Sequence, residues 1–182
     1  MAEPGTDHLQ VALRETDALA RLAGRGSFKM GPALKEFGVA AIEQGARRMI
    51  LDLHDCQGMD STFMGVLAGL AVRLRQRGGE LHVIRLSPKT RQLLATLGID
   101  QLVRAYLDAK TPDELRRRLP EDENGLRRLE TAPDRLRATE TMIEAHETLT
   151  QVDDANRPRF KDVLAFLRED LKRQRDRLEE TP

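Results

Sequence analysis

The stretch MILDLHDCQGMDSTFMGVLAG, residues 49–69, decides the fold of this chain. Its first five residues form a short apolar run typical of a buried strand, and a polar turn follows. Asp60 then suits the start of a helix, because its carboxylate can accept hydrogen bonds from backbone N–H groups of the first turn. Ser61 and Thr62 fall in that turn, where unpaired N–H groups and the helix dipole stabilise added negative charge. The stretch therefore predicts a strand, a turn and a helix that begins with two hydroxyl groups.

Apolar runs and breaks on either side extend this pattern into alternating strands and helices. Residues 8–15 and 19–23 are predicted to form a β-hairpin that turns at Thr16-Asp17. The other predicted elements are a helix from Pro32 to Gly45, a helix after Asp60 that stops at Gly78, a strand over 81–86, a helix from Ser87 to Gly98 and a last strand at 102–103. The order β-β-α-β-α-β-α-β predicts an α/β fold, with helices packed on a sheet.

Charge and glycine content divide the chain near residue 110. Residues 1–110 hold 15 basic and 12 acidic side chains, whereas the shorter span 111–182 holds 15 and 18. Twelve of the 13 glycines lie in the first part. We therefore predict a folded α/β domain over 1–110 and a charged helical extension over 111–182.

The extension has the apolar periodicity of two helices. One is predicted to start near Pro133, and the second, after a break at 151–156, has an apolar stripe. The stripe consists of Phe160, Val163, Leu164, Leu167, Leu171 and Leu178. Burying each large apolar side chain is worth roughly 1.5–3 kcal/mol, so we predict a helical hairpin that docks on the domain or forms a homodimer. His146 is expected on the surface of the first of these helices.

The order of these motifs resembles the STAS domain family, which includes anti-sigma factor antagonists and the tails of sulphate transporters. The resemblance is carried by Asp60-Ser61-Thr62 after a hydrophobic strand, by residues 65–69 (GVLAG), by Gly78-Gly79, by Ser87-Pro88 and by residues 97–99. It covers about residues 8–108. It implies a STAS-like sheet of four to five strands flanked by helices on one side, to which the C-terminal α-helical hairpin is an addition.

The resemblance also implies a function. In antagonists of this family, the unmodified domain binds an anti-sigma factor that is also a serine kinase. Phosphorylation of one serine breaks that complex, and a serine phosphatase restores it. Ser61 falls at the position of the phosphoacceptor, with Asp60 beside it and Thr62 as the next candidate. The resemblance therefore implies a non-enzymatic regulatory switch.

The apolar residues around Ser61 leave two interpretations open. Met59, Phe63 and Met64 either form an adaptable patch that binds a partner or belong to the core. The family often has Gly two places after the serine, where this chain has Phe63. A bulky ring at that place either narrows access of a kinase or contacts a partner.

Three alternatives to the phosphorylation switch stay open. Asp60-Ser61-Thr62 is also a common capping sequence with no further role. The domain can equally be a STAS interaction module of another assembly, such as a lipid-transport complex or a stress-signalling scaffold. A third hypothesis is a small thiol enzyme with Cys56 as nucleophile and His54 as base, near Asp52.

Composition narrows the remaining classes. A single cysteine excludes a disulfide framework and a cysteine-cluster zinc site, and we predict no metal or cofactor. Thirty basic and 30 acidic side chains, with 3% aromatic residues, argue against nucleic-acid binding. No run approaches the roughly 20 apolar residues of a membrane span, so we expect a cytoplasmic protein.

Overall fold

Strands and helices alternate along the chain as the sequence predicts. The computed structural model describes residues 6–120 and 123–180. The strands are β1 His8–Arg14, β2 Asp17–Gly26, β3 Arg48–Asp52, β4 Cys56–Met59, β5 Glu80–Leu86, β6 Arg104–Leu107 and β7 Arg127–Arg128. The helices are α1 Gly31–Glu43, α2 Ser61–Gln76, α3 Pro88–Thr96, α4 Asp113–Arg118, α5 Arg135–Val152 and α6 Asn156–Glu179.

The strands of the described residues form one sheet in the order β6-β5-β3-β2-β1-β7, and β4 pairs with the end of β2. Strands β1 and β2 are antiparallel and turn at Glu15-Thr16, one residue before the predicted turn. Strands β2, β3, β5 and β6 are parallel neighbours. This follows from their connections, because a crossover through a helix returns the chain in the same direction.

The predicted strands are present as β1, β2, β3, β5 and β6. The last of them is shifted along the chain, and two short strands are additional. The last strand is Arg104–Leu107 and not 102–103, because Ile99–Gln101 forms a 3-10 turn that Leu102 ends. Strands β4 and β7 are short additions, of four and two residues. Strand β7 comes from the extension and pairs with β1 at the sheet edge.

Both faces of the sheet are covered. The alternation of side chains along a strand sends Leu51 and Val83 to one face and Ile50 and Ile84 to the other. The first face packs against α1, α2 and α3 in the main core. On the second face, Leu19, Ile50 and Ile84 pack against Leu115, Leu119 and Leu126. Leu115, Leu119 and Leu126 therefore cover the face that a domain with helices on one side leaves open.

The last two helices form the predicted hairpin. Thr139 on α5 accepts a hydrogen bond from Gln174 on α6, and Glu147 pairs with Arg168, so the helices run antiparallel. The hairpin lies along α2 and also contacts α1, and Ala145, Leu149 and Phe160 join the main core. Of the alternatives considered, docking on the domain is therefore present within one chain.

The predicted apolar stripe of α6 is partly wrong. Phe160, Leu164 and Leu167 are buried, but Val163 is 40% and Leu178 62% exposed. Gln174 is level with Thr139, one turn from the start of α5, so Leu178 lies at the end of the hairpin, level with the first residue of that helix. Val163 directly precedes Leu164 and lies about 60° around the helix from Phe160, at the edge of the strip that faces α5.

Candidate functional site

Asp60 fixes the start of α2 with both oxygens of its carboxylate. Oδ1 accepts a hydrogen bond from the Phe63 N–H at 2.8 Å, which is the helix cap that the sequence predicts. Oδ2 accepts from the Phe28 N–H at 2.7 Å, in the loop that follows β2. The Asp60 N–H itself donates to the Gly26 carbonyl at 2.9 Å. These three bonds fix the end of β2 to the first turn of α2 and so position the next residue, Ser61.

The hydroxyl of Ser61 meets a histidine from the C-terminal hairpin. The Oγ of Ser61 lies 2.9 Å from Nε2 of His146, which is on α5. The other ring nitrogen, Nδ1, lies 2.6 Å from the carbonyl oxygen of Met142 and must donate to it, since a carbonyl only accepts. In a neutral ring Nε2 is then the acceptor, so the Ser61 hydroxyl donates to His146.

The surroundings of His146 favour this neutral form. The residue is 4% exposed, and its ring makes an edge-on contact with Phe160, with centroids 4.9 Å apart. Burial lowers the pKa of His146, against the opposing effects of the Met142 carbonyl and the Asp60 carboxylate. Ser61, His146 and Met142 therefore form one hydrogen-bonded chain between the start of α2 and the hairpin.

The predicted surface position of His146 is wrong. The apolar positions of α5 include Met142, Ala145 and Leu149, and His146 lies among them at helical spacing. The flanking glutamates suggested a solvated face, but Glu144 and Glu147 lie on either side of the buried strip. The position of the ring within the periodicity of the helix was the signal available in the sequence.

The other residues predicted around Ser61 lie in the core. Phe63 is fully buried, Thr62 is 4%, Met64 5% and Met59 6% exposed. In this arrangement the three apolar side chains offer no surface to a partner. Contact of Met59, Phe63 or Met64 with a partner stays a prediction, and it requires those side chains to leave the interior.

The residues of the thiol-enzyme hypothesis do not form a nucleophile and base. The Cys56 thiol donates to the Gly58 carbonyl at 3.5 Å, while His54 is directed toward Asp108, with 4.0 Å between Nδ1 and Oδ2. Burial raises the pKa of Cys56, opposed by its contact with Gly58 and by the charge of Lys89. A catalytic thiol needs a lowered pKa, so this environment disfavours the thiolate.

Asp52 belongs to a structural network of ion pairs and hydrogen bonds. The residue is fully buried at the end of β3 and accepts from Arg21 at 3.2 Å and from Arg85, whose Nε lies at 3.0 Å. It also accepts from the His54 N–H. Arg21 donates in addition to the Pro120 carbonyl, so the buried carboxylate links the sheet to the segment that covers its second face.

Neither a metal-type cluster nor a membrane-spanning helix is present in residues 6–120 and 123–180. No three side chains of His, Cys, Asp or Glu in these ranges are grouped as a metal site. No helix in the described part of the chain has the length and apolar content to cross a membrane. Arg73, one of the arginines that could suggest a basic patch, lies 3.5 Å from Glu144 of the hairpin.

The order of the strands in the sheet, the start of α2 and the hydroxyl group in its first turn together define a STAS-type domain. Comparison with known proteins agrees. The family profile described as "Mlab, STAS domain" matches residues 9–104, more than half of the chain. The protein therefore belongs to the STAS domain family, and α5 and α6 lie outside the matched range. The anti-sigma-B factor antagonist of Bacillus subtilis (strain 168) is 31% identical over 96 residues, which are 53% of this chain and 87% of that protein.

Two solved structures show the same fold. The anti-sigma factor antagonist from Mycobacterium paratuberculosis gives a TM-score of 0.52 at 19% identity, over 65% of this chain and 97% of that one. The Bacillus anti-sigma factor antagonist SpoIIAA, in its unphosphorylated form, gives 0.50 at 22% identity, over 60% and 96%. At these identities the likeness establishes the fold.

Proposed function

We propose that the protein is a non-enzymatic binding switch of the anti-sigma factor antagonist type, with Ser61 as its phosphoacceptor. The observation that carries the proposal is the position of Ser61. It is the first residue of α2, directly after the Asp60 cap, in a chain 31% identical to an anti-sigma-B factor antagonist over the domain. Thr62 is the weaker candidate, because it is 4% exposed.

The start of α2 suits a phosphoserine on electrostatic grounds. A phosphoryl group adds about −1.5 to −2 charges at neutral pH, and the N-terminus of a helix stabilises negative charge. Modification of Ser61 would therefore leave α2 folded. The same dianion would disrupt an interface that buries it, because desolvation of an unpaired charge is costly. A folded domain with a changed binding surface is what a binding switch requires.

The proposed partners follow from the relationship to antagonists. They are an anti-sigma factor that also acts as the serine kinase, and a phosphatase that reverses the modification. Such a switch would act in the cytoplasm on transcription. The thiol-enzyme alternative finds no support in the geometry of Cys56 and His54, whereas a STAS module in another assembly would use the same surface with other partners.

The test begins with the protein isolated from its native cells. Mass spectrometry should find phosphate on Ser61, and the two other serines of the chain, Ser27 and Ser87, serve as internal comparisons. In a binding assay with the co-purified partner, Ser61→Asp should weaken affinity at least about tenfold, which is about 1.4 kcal/mol. Ser61→Ala should bind like the unmodified protein and lose the phosphate.

Ser27→Ala is the matched control, because Ser27 lies in the loop whose Phe28 N–H contacts Asp60. It should keep both phosphorylation and binding. Stoichiometric phosphorylation of the Ser61→Ala protein would remove Ser61 from the mechanism. An unchanged affinity of Ser61→Asp would show that negative charge at this position does not control binding.

A further inference from the structure

The C-terminal hairpin occupies the place from which Ser61 would be modified. The hydroxyl that a kinase needs as nucleophile donates a hydrogen bond to His146, 85 residues away in the sequence. His146 is itself held by Met142 and Phe160 and is 4% exposed. Ser61 keeps part of its surface exposed, but its Oγ faces α5.

The backbones of α2 and α5 approach closely one turn beyond Ser61, at Gly65. A Cβ atom at Gly65 would lie 2.5 Å from the carbonyl oxygen of Ala145, closer than real Cβ contacts allow. Glycine at this position therefore lets the backbone of α5 rest directly on α2. Gly69 lies one turn further along α2 and is open by comparison, since its Cβ would meet only the Thr148 hydroxyl at 3.9 Å.

Charged side chains join the hairpin to the domain at the edge of this contact. Glu144 on α5 pairs with Lys35 on α1 and lies 3.5 Å from Arg73 on α2. These side chains are partly exposed, so each pair contributes little. Packing of Ala145, Leu149 and Phe160 against the main core supplies most of the attachment. An attachment of this kind can open as a unit, since the hairpin has its own contacts between α5 and α6.

We propose that the α5–α6 hairpin is a built-in cover of Ser61. Docking of the hairpin on α2 and phosphorylation of Ser61 exclude each other. A phosphoryl group would need space for three oxygens where the ring of His146 now lies, and it would place a dianion against a buried ring that packs on Phe160. The hairpin must leave α2 before Ser61 is phosphorylated, and phosphate on Ser61 keeps it away. Because coupling is reciprocal, the free energy by which a docked hairpin disfavours phosphorylation equals that by which phosphorylation disfavours docking. This inference rests on the proposed function of Ser61.

The first test measures how often the cover opens, without a kinase. In the full chain, Cys56→Ser removes the native thiol and Ser61→Cys places one under the hairpin. The rate of labelling by N-ethylmaleimide is compared with that of the same chain unfolded in guanidinium chloride. We expect labelling in the folded chain to be at least about tenfold slower.

Two substitutions in this background should open the cover. Gly65→Ala places a Cβ against the Ala145 backbone, and Glu144→Lys replaces attraction to Lys35 and Arg73 by repulsion. Gly65→Ala should raise the labelling rate at least about tenfold, and Glu144→Lys, which acts on partly exposed ion pairs, should raise it about threefold. The matched controls are Gly69→Ala, which makes the same change on the same helix without a clash, and Glu169→Lys, which makes the same charge change at an exposed position of α6. Both should label like the parent.

The second test reads the reverse effect by hydrogen exchange. Ser61→Glu should raise exchange over residues 135–179, and Ser61→Ala, which loses the hydrogen bond but adds no charge, should raise it less. Greater protection of the hairpin in Ser61→Glu would overturn the proposal, because the hairpin would then recognise the negative charge.

The two proposals fail in different ways. Labelling at the unfolded rate in the parent, or no acceleration by Gly65→Ala and Glu144→Lys, overturns the cover and leaves phosphorylation of Ser61 untouched. Suppose that labelling is slow in the parent and faster in the two opening variants, while protein from native cells carries no phosphate on Ser61. That result overturns the switch and leaves the cover in place. Circular dichroism of each variant separates opening from unfolding, and Glu144→Lys keeps the test valid if Gly65→Ala does not fold.

Discussion

The ring of Phe63 lies directly on Gly26: a Cβ atom at Gly26 would come within 2.7 Å of the Cδ1 atom of Phe63. The contact joins the last residue of β2 to the first turn of α2, beside the bond between the Asp60 N–H and the Gly26 carbonyl. The bulky residue that distinguishes this chain near Ser61 is thus accommodated inward, by a strand residue without a side chain.

Phe63 is therefore expected to contribute to stability. Its ring is fully buried and packs on Gly26, so it belongs to the core. We predict that Phe63→Ala lowers the free energy of unfolding by about 3–5 kcal/mol, measured by urea denaturation. Phe28→Ala is the control, because Phe28 is 41% exposed, and it should change stability by less than about 0.5 kcal/mol. Equal effects of the two substitutions would contradict the buried position of Phe63.

The protein should lose stability in mild acid through His146. Burial lowers its pKa in the folded state, whereas the unfolded chain keeps the ordinary value of about 6.5. Between these two values the unfolded state binds more protons, so the free energy of unfolding falls as pH decreases below about 6.5 and the loss is complete below the folded pKa. Burial lowers the pKa of His82 too, so the wild type must be compared with a variant that retains His82.

His146→Gln provides that comparison, because Gln is neutral and can still accept from Ser61. Chemical denaturation at a series of pH values should show the wild type losing stability relative to His146→Gln as pH falls. A stability difference that stays constant across this range would mean that His146 titrates normally, and the buried hydrogen bond to Ser61 would be wrong.

Asp52 should be essential to the fold and not to any chemistry. Its buried carboxylate neutralises Arg21 and Arg85, and Asp52→Ala would leave both guanidinium groups without their carboxylate partner. We predict a loss of about 3–5 kcal/mol in the free energy of unfolding. Glu80→Ala removes an exposed partner, at 3.0 Å from Arg104, and should cost less than about 1 kcal/mol. A loss for Asp52→Ala as small as that for Glu80→Ala would show that water reaches the site.

Cys56 should react slowly with thiol reagents. Because burial raises its pKa, the thiolate fraction at neutral pH is smaller than in a free cysteine. Labelling of the native protein by N-ethylmaleimide should be slower than labelling of the same chain unfolded in guanidinium chloride, and it should accelerate as pH rises. Rapid reaction at neutral pH that is abolished by His54→Ala would instead support the thiol-enzyme hypothesis.

The sequence by itself determined the alternation of strands and helices, the caps at Asp60 and Ser87, the family and the existence of two C-terminal helices. All of these depend on local signals, because a cap acts within one turn and a strand or helix shows its period within about ten residues. The position of Ser61 at the start of α2 belongs to this group.

Only the tertiary structure decided what lies against those elements. The contact of His146 with Ser61, the ring of Phe63 on Gly26 and the cover of the second sheet face by Leu115 and Leu119 each join distant parts of the chain. An apolar stripe indicates that one face of a helix is buried. Because the hydrophobic effect is non-directional, the stripe does not identify the surface that covers it. Which surface the hairpin covers is fixed by shape, above all by Gly65, where α5 can approach α2 closely enough for His146 to reach the serine.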